Sequence, residues 1–87
     1  MVQVYQAQAQ QPTTTKIRIK IPKKYSQQPV IQQLAADHNV KINILAALLF
    51  SHGDLDGWFD LELRGNSQKI KSALRHLEQL GVEVWKL

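Results

Sequence analysis

Strict alternation over six residues is the feature that most limits what this chain can fold into. The stretch KIRIKI, residues 16–21, has isoleucine at every second position and a lysine or arginine between. Successive side chains of a β-strand point to opposite faces, so the stretch predicts a strand with one buried and one open face. Pro22 ends the strand, because proline has no N–H to donate to a neighbouring strand.

Two segments with a helical spacing of apolar residues are predicted to cover the buried face. The first spans about residues 28–38, and Ser26 is its expected N-cap. The second starts at the sequence GNS, where Asn66 or Ser67 caps it, and runs to Leu80. Each segment has one apolar stripe, which is typical of a helix that packs on a sheet.

Three further strands complete the pattern. They are predicted at residues 40–50, 58–64 and 82–87, with the turn-rich sequence SHGDLDG between the first two. The resulting βαββαβ order is typical of the α+β ferredoxin-like fold. That fold has a four-stranded antiparallel sheet, here in the order 4-1-3-2, with two helices on one face. The strand at residues 40–50 therefore lies at an edge of the sheet.

The remaining sequence sets the limits of the domain. Residues 1–15 carry no charge and five glutamines, so we expect a flexible Gln-rich tail before a single domain at residues 16–87. The chain has no cysteine. It has no apolar stretch near the roughly 18 residues of a membrane span, and its N-terminus has no signal-peptide pattern. These features predict a cytoplasmic protein without a membrane partner.

The edge strand is apolar but has an asparagine near its middle. Alternation places five of its residues on the face away from the helices: Lys41, Asn43, Leu45, Ala47 and Leu49. A hairpin centred on the following loop would place Asn43 opposite Arg64 and near Glu62. Both signs of charge would then lie beside the carboxamide, which itself offers two donors and an acceptor.

Exposed apolar residues on an edge strand favour association. We expect Leu45, Ala47 and Leu49, together with Trp58, to lie in the contact of a homodimer, since two-fold pairing is the commonest assembly. Trp58 and Trp85 both fall on the open face by alternation. The alternative that stays open is that this surface binds a different protein and no metabolite.

The sequence also resembles a known family. The triplet Asn43-Ile44-Leu45 within LAADHNVKINIL, the strand ending LELRG and the closing HLEQLGVEVWKL are similar to the NIL domain, over about residues 16–87. The best-known NIL domains are regulatory domains of methionine-importer ATPases, which pair with their twins and bind methionine. The resemblance implies a homodimer that binds an amino acid, methionine first, through Asn43. The other predicted ligand contacts are Ile44 and Leu45 of the triplet and, from the hairpin pairing, Arg64.

Three departures separate this sequence from the transporter form. It has no G-x-x-x-x-G-K-[ST] phosphate loop and no cysteine, so neither an ATPase nor an iron–sulfur cluster is expected. Ala46, Ala47 and Leu48 replace a more polar stretch after the triplet. This change favours the alternative of a protein-interaction module. GWFDLELRG looks like the NIL version that occurs beside ferredoxin domains or alone.

Other candidate sites have ordinary explanations. The net charge is +4, and the stripe Lys16, Arg18 and Lys20 suggests nucleic-acid binding as a weaker alternative. We expect Asp60 and Glu62 on the neighbouring strand to compensate it, because opposite charges pair across strands. The histidines fit no metal motif, including His52 beside two aspartates in its loop. We therefore expect no metal, no cofactor and no catalytic residue.

Overall fold

The computed structural model describes residues 12–25, 28–49 and 56–87. Its strands and helices are, in chain order, β1 (Thr13–Ile21), α1 (Val30–His38), β2 (Lys41–Leu48), β3 (Gly57–Gly65), α2 (Ser67–Gln79) and β4 (Glu83–Lys86). The four strands form one antiparallel sheet in the order β2-β3-β1-β4. This is the predicted 4-1-3-2 order read from the other edge, so the ferredoxin-like α+β fold is confirmed.

The core lies between the sheet and the two helices. Ile17 and Ile19 of β1 have no exposed surface, and neither do Leu61 and Leu63 of β3. They pack with the apolar stripes of the helices, in which Leu77 is also fully buried. The alternation of KIRIKI thus buries one face of β1, as predicted. Neither helix in the described part of the chain is both long and apolar enough to cross a membrane.

Local chemistry fixes where the helices begin and end. Asn66 caps α2, because its side-chain oxygen accepts a hydrogen bond from the Lys69 backbone N–H at 2.8 Å. Asn39 follows α1 in the left-handed conformation, with φ 53° and ψ 46°, which asparagine tolerates better than most residues at a helix end. The other expected cap, Ser26, lies outside the described residues.

Most boundaries lie within two residues of the predicted ones, and the largest difference is at the start of β1. β1 begins at Thr13, three residues before the expected start, and Thr13 lies opposite Gly65 at the end of β3. β2 ends at Leu48. Residues 1–11 of the predicted tail at residues 1–15, and residues 51–55 of the predicted loop at residues 51–57, lie outside the described residues.

The register of β2 against β3 corrects the predicted pairing. Asn43 lies opposite Glu62, and Arg64 lies opposite Lys41. The ladder is regular up to Ile44 and then shifts by one residue before Ala46. Leu45 is the extra residue of a β-bulge, which a prediction from uniform alternation does not contain.

The bulge also reverses the faces of the second half of the strand. Ala46 lies opposite Asp60 and Leu48 opposite Trp58, so both belong to the open face. Ala47 lies opposite Phe59, on the helix side. The prediction that Ala47 faces away from the helices is therefore wrong, because one inserted residue inverts every later position.

The same inversion applies to Leu49. A Cβ atom built on Gly57 would lie 3.2 Å from Leu49 Cδ2. Gly57 is paired with Ile21, whose side of the sheet is the one the helices cover. Leu49 therefore belongs to the helix side, and its predicted place on the open face is wrong for the same reason.

Candidate functional site

The open face of the sheet, on the side away from the helices, carries a mixed pattern of charge and aromatic surface. Its central rows, read from β2 to β4, are Leu48, Trp58, Lys20 and Glu83, then Ala46, Asp60, Arg18 and Trp85, then Asn43, Glu62 and Lys16. Cations of β1 thus stand beside carboxylates of β3 and β4. Of the two predicted partners, Asp60 forms an ion pair with Arg18, and Glu62 lies opposite Lys16.

Arg18 and Asp60 form the best-defined ion pair of this face. Arg18 Nε donates to Asp60 Oδ1 at 2.7 Å, and Nη2 donates to Oδ2 at 3.1 Å. The hydrogen bonds to Asp60, with its negative charge, raise the pKa of Arg18. The hydrogen bonds from Arg18 lower the pKa of Asp60, with desolvation opposing them. The pair therefore stays ionised and holds its two charges side by side.

Lys20 is shared between two carboxylates and an aromatic ring. Its Nζ atom lies 3.7 Å from Asp56 Oδ2 and 3.8 Å from Glu83 Oε1, and 5.6 Å from the centre of the Trp58 ring. Arg18 and Lys20 therefore form ion pairs with acidic residues, and the third cation of β1, Lys16, lies opposite Glu62. The basic stripe therefore offers little unbalanced charge to a phosphate backbone.

The two tryptophans meet above β1. Trp58 of β3 and Trp85 of β4 stack with ring centres 5.4 Å apart and planes inclined by 18°. Trp85 remains 42% exposed. Both lie on the open face as predicted. Because the two rings stack, the position of the Trp58 side chain is restricted, and it forms an apolar wall on this side of the sheet.

A cavity of about 310 Å³ opens between that wall and the edge strand. It is lined by Arg18, Ala46, Ala47, Leu48, Trp58, Phe59 and Asp60. The bulge explains its position. Without the extra residue, the alternation of β2 would place Leu45 opposite Asp60; with it, the small side chain of Ala46 takes that place and leaves room above the ion pair.

Asn43 lies in the row next to the cavity. Its Nδ2 donates to Glu62 Oε1 at 3.3 Å. Of the residues predicted to surround it, Leu45 is adjacent at the bulge, whereas Ile44 lies opposite Leu61 on the helix side. Arg64 lies opposite Lys41, on the same face as Asn43 but one row further from the cavity. The structure thus brings Asn43 together with Glu62 and not directly with Arg64.

The edge strand exposes apolar surface on both faces. Ile44 is 55% exposed and Leu45 50%, while Leu48 and Leu49 reach 57% and 67%. Edge strands of monomeric proteins usually carry charges that prevent pairing with another chain. From Ile42 to Leu49 this edge has none, so it is a surface suited to association.

One contact had no signal in the sequence. His38 Nε2 and His76 Nδ1 lie 2.8 Å apart and join α1 to α2. Nothing in the spacing of two residues 38 positions apart on separate helices indicates such a pair. The described residues hold no group of three or more histidine, cysteine, aspartate or glutamate side chains arranged to bind a metal ion.

Comparison with known proteins places this geometry in a family. The model of the NIL domain family matches residues 15–86. An uncharacterized protein of Synechococcus elongatus is 42% identical over 72 residues, which cover 83% of this chain and 89% of that protein. An uncharacterized protein of Synechocystis is 40% identical over 76 residues, which cover 87% of this chain and 77% of that protein.

A solved structure has the same fold. It is the C-terminal domain of an ABC transporter ATP-binding protein from Enterococcus faecalis, with a TM-score of 0.73 and 20% identity. The match covers 84% of this chain and 82% of that chain. At this identity the likeness concerns the fold alone.

Proposed function

Because the chain belongs to the NIL domain family, we propose that it is a non-enzymatic regulatory domain that binds an amino acid as a homodimer. Methionine is the first candidate ligand. The observation that carries this proposal is the triplet residue Asn43 beside Glu62 on the open face, one row from the cavity. A carboxamide and a carboxylate next to an apolar recess suit a small molecule with a polar end and an apolar end.

Asn43 has bonding capacity beyond its contact with Glu62. One amide N–H is donated to Glu62, which leaves a second N–H and the carboxamide oxygen. The N–H suits a ligand carboxylate and the oxygen suits an ammonium group. Glu62 adds a negative charge for the ammonium group at the same place.

The exposed edge supplies the reason for a homodimer. Leu48 and Leu49 are more than half exposed on opposite faces of β2. A second copy of the chain would shield both faces from water. In a two-fold dimer the same strand of each subunit forms the contact. If the dimer can adopt two arrangements, a ligand bound near this edge shifts the population toward the arrangement that it binds more tightly.

Amide NMR titration with methionine tests the proposal. Saturable shifts at Asn43 and along β2 are expected in the wild type, and Asn43→Ala should weaken binding about tenfold, the effect of losing one hydrogen bond to a charged group. Gln33→Ala is the matched control, because it removes an exposed carboxamide of α1. No saturable shift with any amino acid at millimolar concentration would refute ligand binding.

A second candidate function is supported by the apolar edge itself. A protein-interaction module would use β2 to bind a different protein, and no metabolite would be needed. Sedimentation distinguishes the two: the homodimer proposal expects a concentration-dependent dimer that Leu48→Ser with Leu49→Ser abolishes. A chain that stays monomeric at high concentration would favour the interaction module.

A further inference from the structure

We propose that the cavity on the open face is the ligand site, and that Arg18 and Asp60 bind the α-carboxylate and the α-ammonium of a free amino acid. This inference rests on the proposed function and adds two residues to Asn43 at the polar end of the ligand. Asn43 lies in the next row of the sheet and contributes one hydrogen bond to the same polar end. The ligand class is an α-amino acid with an apolar side chain.

The charge arrangement matches a zwitterion. An α-amino acid carries its carboxylate and ammonium on one carbon, so a site needs a cation and an anion side by side. Arg18 and Asp60 provide them in direct contact, with Nε and Oδ1 2.7 Å apart. Both groups are ionised, as the hydrogen bonds between them favour the charged forms.

The ion pair also has bonding capacity left for a ligand. A guanidinium group has five N–H donors, and Asp60 receives two of those of Arg18. Each carboxylate oxygen of Asp60 accepts one bond from Arg18 and has a second lone pair. A ligand can therefore bind both charged groups while they remain in contact with each other.

The rest of the lining suits the side chain of such a ligand. Leu48 and Trp58 are cross-strand neighbours that both contribute apolar lining, and the small side chain of Ala46 leaves room beside the ion pair. The volume of about 310 Å³ lies at the small end of ligand sites, roughly 300–1,000 Å³. It suits a single amino acid better than a nucleotide or a peptide.

The site is formed before a ligand arrives. The stack on Trp85 positions Trp58, Lys20 lies over the same ring, and two parallel hydrogen bonds orient Arg18. A ligand then has fewer groups to order on binding, which favours affinity.

Calorimetric titration of the full chain with three probes tests the charge assignment. The probes are methionine, its methyl ester, which lacks the carboxylate charge, and N-acetylmethionine, which lacks the ammonium group. Each derivative should bind the wild type about ten- to a hundred-fold more weakly than methionine. Arg18→Gln should weaken methionine to a similar degree but change the ester little, because the ester has already lost that contact.

A second variant tests the cavity without touching a charge. Ala46→Leu fills the space above Asp60 and should weaken methionine binding at least about tenfold, by steric exclusion. Ala46 is exposed on an edge strand, so the fold should tolerate the larger side chain. The matched controls are Ala36→Leu and Arg75→Gln, at exposed positions of α1 and α2, and both should bind as the wild type does.

The outcomes separate this inference from the proposed function. Methionine binding that is unchanged by Ala46→Leu and Arg18→Gln overturns the site assignment, while the amino-acid-binding function stands. Equal affinity for methionine and its methyl ester overturns the role of Arg18. A wild-type chain that binds neither methionine nor leucine nor phenylalanine overturns the function and the inference together.

Discussion

Deletion of Leu45 tests the β-bulge directly. The residues on either side of Leu45 already pair with consecutive residues of β3, Ile44 with Leu61 and Ala46 with Asp60. Removing the extra residue should therefore join two correct ladders into one continuous ladder. Neither half of β2 needs to change its face, because the deletion removes the cause of the register shift.

The expected cost of this deletion is small. Leu45 is 50% exposed, so its loss forfeits about half of the roughly 1.5–3 kcal/mol that a fully buried leucine contributes. One residue fewer is ordered on folding, which returns roughly 1–2 kcal/mol of backbone entropy. The two effects nearly cancel, and the free energy of unfolding should change by less than about 1 kcal/mol.

Deletion of Glu62 is the matched control, in the facing strand that has no bulge. It makes Leu61 and Leu63 neighbours in sequence, so one of these fully buried side chains must turn to the open face. The expected loss is about 2–5 kcal/mol, as for truncating a buried leucine. Urea unfolding measures both deletions. Cross-strand nuclear Overhauser contacts of Ala46 with Asp60 report whether the register survives.

Two results would refute the reasoning about the bulge. One is a Leu45 deletion that destabilises the protein as much as the Glu62 deletion does. The other is a Leu45 deletion in which Ala46 faces Phe59 and no longer Asp60, because the second half of β2 would then depend on the extra residue for its register.

Three further predictions concern the ends of helices and the open face. Asn66→Ala should lower the free energy of unfolding by about 1 kcal/mol in urea titrations, because the Lys69 N–H loses its cap; an unchanged midpoint would contradict the capping role. Gly81→Ala should cost about 1–2 kcal/mol by the same assay through its φ of +77° alone, since a Cβ there meets nothing within 4 Å, and a stabilised variant would contradict this. Hydrogen bonds from Arg18 lower the pKa of Asp60, so this carboxylate stabilises the fold above its unfolded-state pKa of about 3.9 and loses that effect as the pH falls through its lower folded-state value. The free energy of unfolding of Asp60→Asn should therefore fall less than that of the wild type between about pH 5 and pH 2. An equal fall in both proteins would count against a stabilising role for the ion pair.

The fold was predictable from the sequence because its signals are local. The alternation of residues 16–21 and the apolar stripes of two helices each follow from the period of one element. Asn39 and Asn66 mark helix ends because their side chains suit those positions. The order of these elements then leaves few ways to bury all the apolar faces at once.

The candidate site was predictable only in part, because it depends on pairing between strands. The placement of Trp58 on the open face follows from alternation and was correct. The placement of Ala47 and Leu49 failed, since nothing in an apolar run announces that one of its residues is extra. The pair Arg18–Asp60 was expected only as general charge compensation, because its bidentate geometry depends on tertiary structure.

The Trp58–Trp85 stack gives this protein a built-in optical reporter. These are the two tryptophans of the whole sequence, and both belong to the open face. Intrinsic fluorescence excited at the indole band therefore comes from that face and from no other part of the chain. A second subunit, a partner protein or an amino acid that covers it should shift or quench the emission without any label, so the competing proposals can be compared in dilute solution with the unmodified protein.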